Sequence, residues 1–201
     1  MENLQEFRNF AMKNNIPIVR EKTEQLLIDK IKQINPKSIL EIGTAVGYSG
    51  TIMLKNCNAT LTTIELDEER FLQAKEKFAE FNVQNRVVQV LKDAKEFIES
   101  TTEKYDFIFL DGPKSHYIEY LPYLISLLNE NGAIFADNAL FRGYVLSEEE
   151  PPKKYRTIVR NLRKFLSALD ENKSLKTEIF NIEDGVSFSI LIWFFSLKIV
   201  V

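Results

Sequence analysis

Ile39-Leu40-Glu41-Ile42-Gly43-Thr44-Ala45-Val46-Gly47-Tyr48-Ser49 decides how the rest of the chain reads. It runs as a short apolar strand ending near an acid, a turn with two glycines, and the start of a helix. Backbone comes close to a small nucleoside ligand only where side chains are missing, which Gly43 and Gly47 supply. The acid-x-Gly-x-x-x-Gly spacing departs from the Gly-x-Gly-x-x-Gly fingerprint, which packs more glycines around a pyrophosphate. Glu41 stands where a phosphate site would avoid negative charge. The pattern therefore favours a ligand with a cationic end, such as the amino group and sulfonium of S-adenosylmethionine. An ordinary strand-turn-helix junction has the same outline, so support must come from elsewhere.

Two further strand ends supply it. Ala59 to Ile64 is rich in β-branched and small residues and ends in Glu65-Leu66-Asp67, ahead of a helical stretch from Glu68 to Phe81. Glu65 lies 18 residues beyond Gly47, near the offset at which an acid on the second strand accepts from both ribose hydroxyls. A third strand, Arg86 to Leu91, ends at Lys92-Asp93-Ala94, where an adenine fits. Asp93 reads equally as the N-cap of a helix over Ala94 to Glu99, and the two roles are compatible.

Composition sets the class. The chain has 201 residues with 45% apolar and 27% charged side chains, and reads as one soluble domain, 1–201, able to bury a full core. A net charge of −3 excludes wholesale attraction to polyanions, so any nucleic-acid surface has to be local. The single cysteine, Cys57, rules out an intramolecular disulfide and points to a reducing, cytoplasmic setting. Met1 to Asn15 is too polar for a signal peptide. The last stretch, 190–201, is nearly all apolar, but Lys198 interrupts it and it is too short to cross a bilayer. A strand past the sheet edge or a partner surface is the expectation there.

Leu4 to Lys13 and Thr23 to Ile34 have helical apolar spacing, making 1–34 an N-terminal helical segment broken at Pro17. Strands and helices then alternate, with strands at Ser38–Ile42, Thr60–Ile64, Val87–Leu91, Asp106–Leu110 and Ala133–Ala136. Such alternation predicts an α/β fold with a mostly parallel sheet and helices on both faces. After a helix from about Lys154 to Leu169, Thr177–Phe180 and Val186–Leu191 predict an antiparallel closing hairpin with a tight turn at Asp184-Gly185. That makes seven strands.

Ligands of an open α/β sheet bind beyond the carboxyl ends of its strands. The fourth strand ends at Asp111-Gly112-Pro113-Lys114 and the fifth at Asp137-Asn138, bringing two carboxylates and an amide to neighbouring tips. Three oxygen donors with open positions suit Mg²⁺ or Mn²⁺. Zinc is disfavoured, since His116 is the only histidine. Either acid taken alone reads as well as a helix cap.

Glu41 to Ser49, Asp111-x-x-Lys114-x-x-Tyr117 and Asp137-Asn138 together resemble the cation-dependent O-methyltransferases of the catechol and caffeoyl-CoA type, over Ile16 to Ser189. The resemblance implies a Rossmann-like class I methyltransferase domain and a homodimer without membrane attachment. It places Val19, Glu41, Gly43, Ser49, Glu65, Asp93, Ala94 and Asp111 around S-adenosylmethionine. Asp111, Asp137 and Asn138 become metal ligands, and Lys114 takes the position of the base beside Asp111. Within the family the chain is similar to the bacterial tRNA 5-hydroxyuridine methyltransferases, through Ile16-Pro17-Ile18, Asn35 to Ala45 and Asp137 to Gly143. That likeness implies tRNA as substrate.

Lys153, Lys154, Arg156, Arg160, Arg163 and Lys164, with no acid among them, could neutralise RNA phosphates. The bland alternative is a solvated helix face balanced by Glu148-Glu149-Glu150. Two departures from the pattern bear on substrate. The chain starts close to Ile16-Pro17-Ile18, so the N-terminal helix that relatives use near substrate is expected to be short or absent, and the apolar ending replaces a basic one. A small-molecule catechol-type enzyme would share every site residue but has no use for the basic segment. A non-catalytic nucleoside- or RNA-binding protein would have no use for Asp111, Asp137 and Asn138 together.

Overall fold

The computed structural model describes residues 4–192; the apolar ending from 193 onward lies outside the described residues. Helices α1 (Leu4–Lys13) and α2 (Glu21–Ile34) precede β1 (Ser38–Ile42), α3 (Tyr48–Asn56), β2 (Thr60–Glu65), α4 (Glu68–Glu80) and β3 (Val87–Leu91). The chain continues through α5 (Ala94–Ser100), β4 (Tyr105–Leu110), α6 (Tyr117–Ser126), β5 (Leu128–Asp137), α7 (Arg156–Glu171), β6 (Leu175–Phe180) and β7 (Val186–Leu191). The strands form one seven-stranded sheet in the order β3-β2-β1-β4-β5-β7-β6. Neighbours from β3 to β5 pair in parallel, and β7 runs antiparallel to both β5 and β6. This is the Rossmann-like arrangement that the alternating pattern predicts. No helix among the described residues is long and apolar enough to cross a membrane.

Unbroken apolar runs on the central strands follow from covering the sheet on both sides. Side chains alternate across a strand. Ile39, Phe107, Phe109 and Phe135 pack on one face with Leu27, Ile31 and Ile52, while Leu40, Ile108, Leu110 and Ile134 pack on the other with Leu124, Leu162 and Phe165. Helix starts follow local chemistry. Asp67 caps α4 by accepting from the Arg70 N–H, and Asp93 caps α5 by accepting from Lys95 and Glu96.

Two expectations need correction. β5 begins at Leu128, five residues before the apolar stretch, since the polar Asn129-Glu130-Asn131-Gly132 segment continues the strand beside a register shift against Tyr105 and Phe107. The closing hairpin is antiparallel, but residues 181–185 form a wider connection than a two-residue turn. Its residues are committed elsewhere. The Glu183 carboxylate accepts from the N–H groups of Lys22 and Thr23 and from the Thr23 hydroxyl, which fixes the start of α2. The carbonyls of Asp184 and Gly185 accept from Ala139, Leu140 and Phe141. Gly185 has φ +79, and a Cβ there would overlap the Leu140 side chain. This loop thereby joins the N-terminal segment to the tip of β5.

The sheet order reverses between β1 and β4, so their carboxyl ends open a crevice. Gly43 lies there with φ +99, where an added Cβ would sit 2.5 Å from the Asp111 carbonyl oxygen. Both strain and overlap oppose any side chain. Gly43→Ala is therefore expected to cost about 1–3 kcal/mol in urea denaturation. An unchanged unfolding midpoint and slope would refute the close approach.

Candidate active site

A cavity of about 460 Å³ lies beyond the carboxyl ends of the strands, with Gly43, Ala45 and Glu65 in one part of its wall and Asp111, Lys114, Asp137 and Asn138 in another. Glu65 is fixed by the loop it faces. One carboxylate oxygen accepts from the Ala45 N–H at 2.8 Å, and the other accepts from Leu66 at 2.9 Å and Asp67 at 3.0 Å. Three backbone donors hold its orientation, and a carboxylate keeps acceptor capacity beyond them for a ligand hydroxyl. Ala45 itself sits at φ +45, a conformation that alanine rarely adopts.

Glu41 does not line the cavity. It is wholly buried, and its two oxygens accept from the hydroxyls of Ser49 at 2.5 Å and Thr63 at 2.6 Å. Burial pushes its pKa up to about 7 against the lowering effect of those two hydroxyls, with Asp111 and Glu65 adding repulsion. Ser49 and Val19 are buried as well, and all three residues lie behind the wall, with Ile18 and Arg20 exposed to the cavity on either side of Val19. Asp93 and Ala94 line a smaller recess of about 90 Å³ with Leu66 and Tyr120. It shares Gly43, Glu65, Gly112 and Pro113 with the main cavity, so Glu65 sits where the two spaces join.

At the other end, Lys114 Nζ lies 2.7 Å from Asp111 Oδ1. Asp137 is 4% exposed and one of its oxygens accepts from the Asn138 N–H at 2.6 Å. Burial and the nearby Asp111 raise its pKa, as both disfavour a second negative charge. Asn138 adopts φ +55, a left-handed conformation that asparagine tolerates better than most. The buried Tyr117 hydroxyl lies 3.0 Å from the Leu110 carbonyl and 3.2 Å from that of Asp137, bridging the tips of β4 and β5.

This donor set fits a hard divalent cation. It offers carboxylate and amide oxygens, and Asp137 is a buried acid with no ion pair of its own among the described residues. No group of three or more His, Cys, Asp and Glu gathers among the described residues, so a metal centre at this place would need the Asn138 amide beside the two carboxylates.

A family model described as O-methyltransferase matches residues 1–192. The chain belongs to the O-methyltransferase family. It is 30% identical to caffeoyl-CoA O-methyltransferase 2 of Petunia hybrida, over 83% of this chain and 75% of the relative. A structure provisionally described as a caffeoyl-CoA O-methyltransferase from Staphylococcus aureus is 30% identical, with a TM-score of 0.87 and coverage of 95% of this chain and 93% of the other. The O-methyltransferase from Bacillus cereus, solved in complex with SAH, shares the fold at 21% identity, with a TM-score of 0.83 and coverage of 94% and 90%.

In this O-methyltransferase the basic segment divides. Arg163 is spent internally: its guanidinium donates to the carbonyls of Tyr144, Val145 and Ser147, tying that segment to α7. Arg156 pairs with Glu150, and Lys154 lies 4.8 Å from the Tyr155 ring centre. Lys153, Arg160 and Lys164 are exposed, and among the described residues none of the three has an ion-pair partner. A uniform strip of six cations is thus not what the structure presents.

Sequence reading passed over several contributors. Arg20 pairs with Asp184 at 2.9 Å on the cavity wall, a contact across 164 positions with no local signal. Thr63 was findable, as a hydroxyl residue inside a buried strand that needs a partner.

Glu41 generates a pH prediction. Its pKa rises from 4.5 to about 7 on folding, so the folded state holds the proton more tightly than the unfolded chain. Its contribution therefore weakens stability as pH rises from about 4.5 to 7, by about 3 kcal/mol in total. Wild type should lose stability relative to Glu41→Gln across that window and run parallel to it above. Parallel curves throughout would show that Glu41 does not titrate there.

Proposed function

We propose that the protein transfers a methyl group from S-adenosylmethionine to one hydroxyl of a vicinal oxygen pair, with Mg²⁺ or Mn²⁺ required. We further propose that the acceptor is 5-hydroxyuridine at the anticodon wobble position of tRNA, giving 5-methoxyuridine. The observation that carries the chemistry is the placement of Asp111, Asp137, Asn138 and Lys114 in the same cavity as Glu65. The SAH-bound Bacillus cereus relative supports the choice of cofactor.

When bound, S-adenosylmethionine supplies the methyl group as a sulfonium and the divalent cation supplies Lewis acidity to the acceptor oxygens. Glu65 holds the ribose hydroxyls, and the recess beside Asp93 and Ala94 takes the adenine. Asp111, Asp137 and Asn138 would hold the cation, and the Tyr117 hydroxyl, set between the Leu110 and Asp137 carbonyls, keeps the tips of β4 and β5 in register. Lys114 receives the acceptor's hydroxyl proton. Its Nζ donates to Asp111 Oδ1 at 2.7 Å, so that pair has to part before the amine can take the proton. Positioning of the two reactants supplies much of the rate.

Support for tRNA comes from the Asp137 to Gly143 likeness and from Lys153, Arg160 and Lys164, exposed cations with no ion-pair partner among the described residues. The caffeoyl-CoA relatives favour a second reading, a small vicinal phenol. One experiment separates the two. Arg160→Gln with Lys164→Gln should weaken tRNA binding and flatten its log-log salt slope by up to about two units. Methylation of the free 5-hydroxyuridine nucleoside should continue in that variant and stop in EDTA. Unchanged tRNA binding would put the small phenol first, and full turnover in EDTA would overturn the cation requirement.

A further inference from the structure

Arg8, on α1, connects three separate segments with one guanidinium. Its Nε donates to the Tyr48 hydroxyl at 3.0 Å, and its Nη2 donates to the Val19 carbonyl at 3.1 Å and to Glu24 Oε2. The Tyr48 hydroxyl donates in turn to the same Glu24 oxygen at 2.9 Å. The Arg8 and Glu24 side chains are only 15% and 21% exposed, and Tyr48 is buried. Burial, followed by Glu24, pushes the Tyr48 pKa up to about 12, so the phenol keeps the proton it donates.

Docking α1 does not need all of these bonds. Phe7 and Ala11 are already buried, and Phe7 stacks on Phe81 at 5.3 Å and meets the Tyr48 ring edge-on at 5.1 Å. The bonds to Val19 and Tyr48 end next to the cofactor end of the cavity. Val19 lies between Ile18 and Arg20, both on the wall. Tyr48 opens α3 directly before Ser49, whose hydroxyl holds Glu41.

We propose that Arg8, acting through Glu24 and Tyr48, is a positioning residue for the cofactor. It locks the segment before α2 against the start of α3, so that the wall around S-adenosylmethionine is set before the ligand arrives. Binding then spends less on ordering that wall. The inference rests on the methyltransferase reading and adds to it a role for the first helix.

Tyr48→Phe tests it with the ring packing kept. The Kd for S-adenosylmethionine from calorimetry should rise about five- to tenfold, the loss of one or two hydrogen bonds. KM for the cofactor should rise in parallel, and kcat at saturating cofactor should stay within about twofold. Arg8→Lys keeps a charge for Glu24 but cannot reach all three acceptors, so its Kd should rise as well, while Arg8→Ala should raise it further. A lowered melting temperature with unchanged cofactor Kd in Tyr48→Phe and Arg8→Lys would overturn the proposal and leave the network as a dock for α1. Failure of the wild-type chain to bind S-adenosylmethionine would overturn the methyltransferase reading and this inference with it.

Discussion

Two backbones touch at the centre of this molecule, Gly43 at the tip of β1 and Asp111 at the tip of β4. The last bond between these strands runs from the Asp111 N–H to the Ile42 carbonyl at 3.0 Å, and beyond it the chains diverge. β1 turns toward α3 and β4 toward α6. Contact without side chains lets the divergence start at once, and the opening becomes the cavity. Glu65 and Asp111 reach it from strands on either side of β1, and Asp137 from the strand beyond β4. Widening the crossing by one methyl group would disturb both ends of the site together.

The acids around that crossing explain its ligands. Glu41, Glu65, Asp111, Asp137 and Asp184 all sit in or just behind the cavity wall, and burial, with their mutual repulsion added, raises the pKa values of Glu41 and Asp137. The fold tolerates this by giving each acid a separate compensation. Glu41 has two hydroxyls, Glu65 three backbone N–H groups, Asp111 the Lys114 ammonium, and Asp184 the Arg20 guanidinium. Asp137 has the Asn138 N–H and, together with Asp111, the nearby charge of Lys114. Under the proposed function, a sulfonium cofactor and a divalent cation would bring the positive charge that offsets these acids.

Much of this was legible in the sequence because it is local. Strand ends followed from apolar runs bounded by acids and glycines, and the parity of β1 already places Glu41 with Ile39, on the face opposite Leu40 and Ile42. What stayed hidden depends on partners far along the chain. Nothing near Glu183 announces that it caps α2, and nothing near Arg163 announces the three carbonyls it binds. The basic segment looked uniform because sequence counts charges without showing which are already engaged. Arg8 escaped notice for the same reason, since its partners lie 11, 16 and 40 positions away.

The central claim is that cofactor and cation meet in one cavity, with Asp137 on the cation side. Carbon-13 NMR of S-adenosylmethionine labelled at its methyl group, bound to the protein without acceptor, tests this directly. Mn²⁺ should broaden the bound methyl resonance severely where Mg²⁺ leaves it sharp, and Asp137→Ala should restore a sharp line in Mn²⁺. A methyl line that stays sharp in Mn²⁺ on the wild-type protein, or that broadens equally without Asp137, would contradict the account.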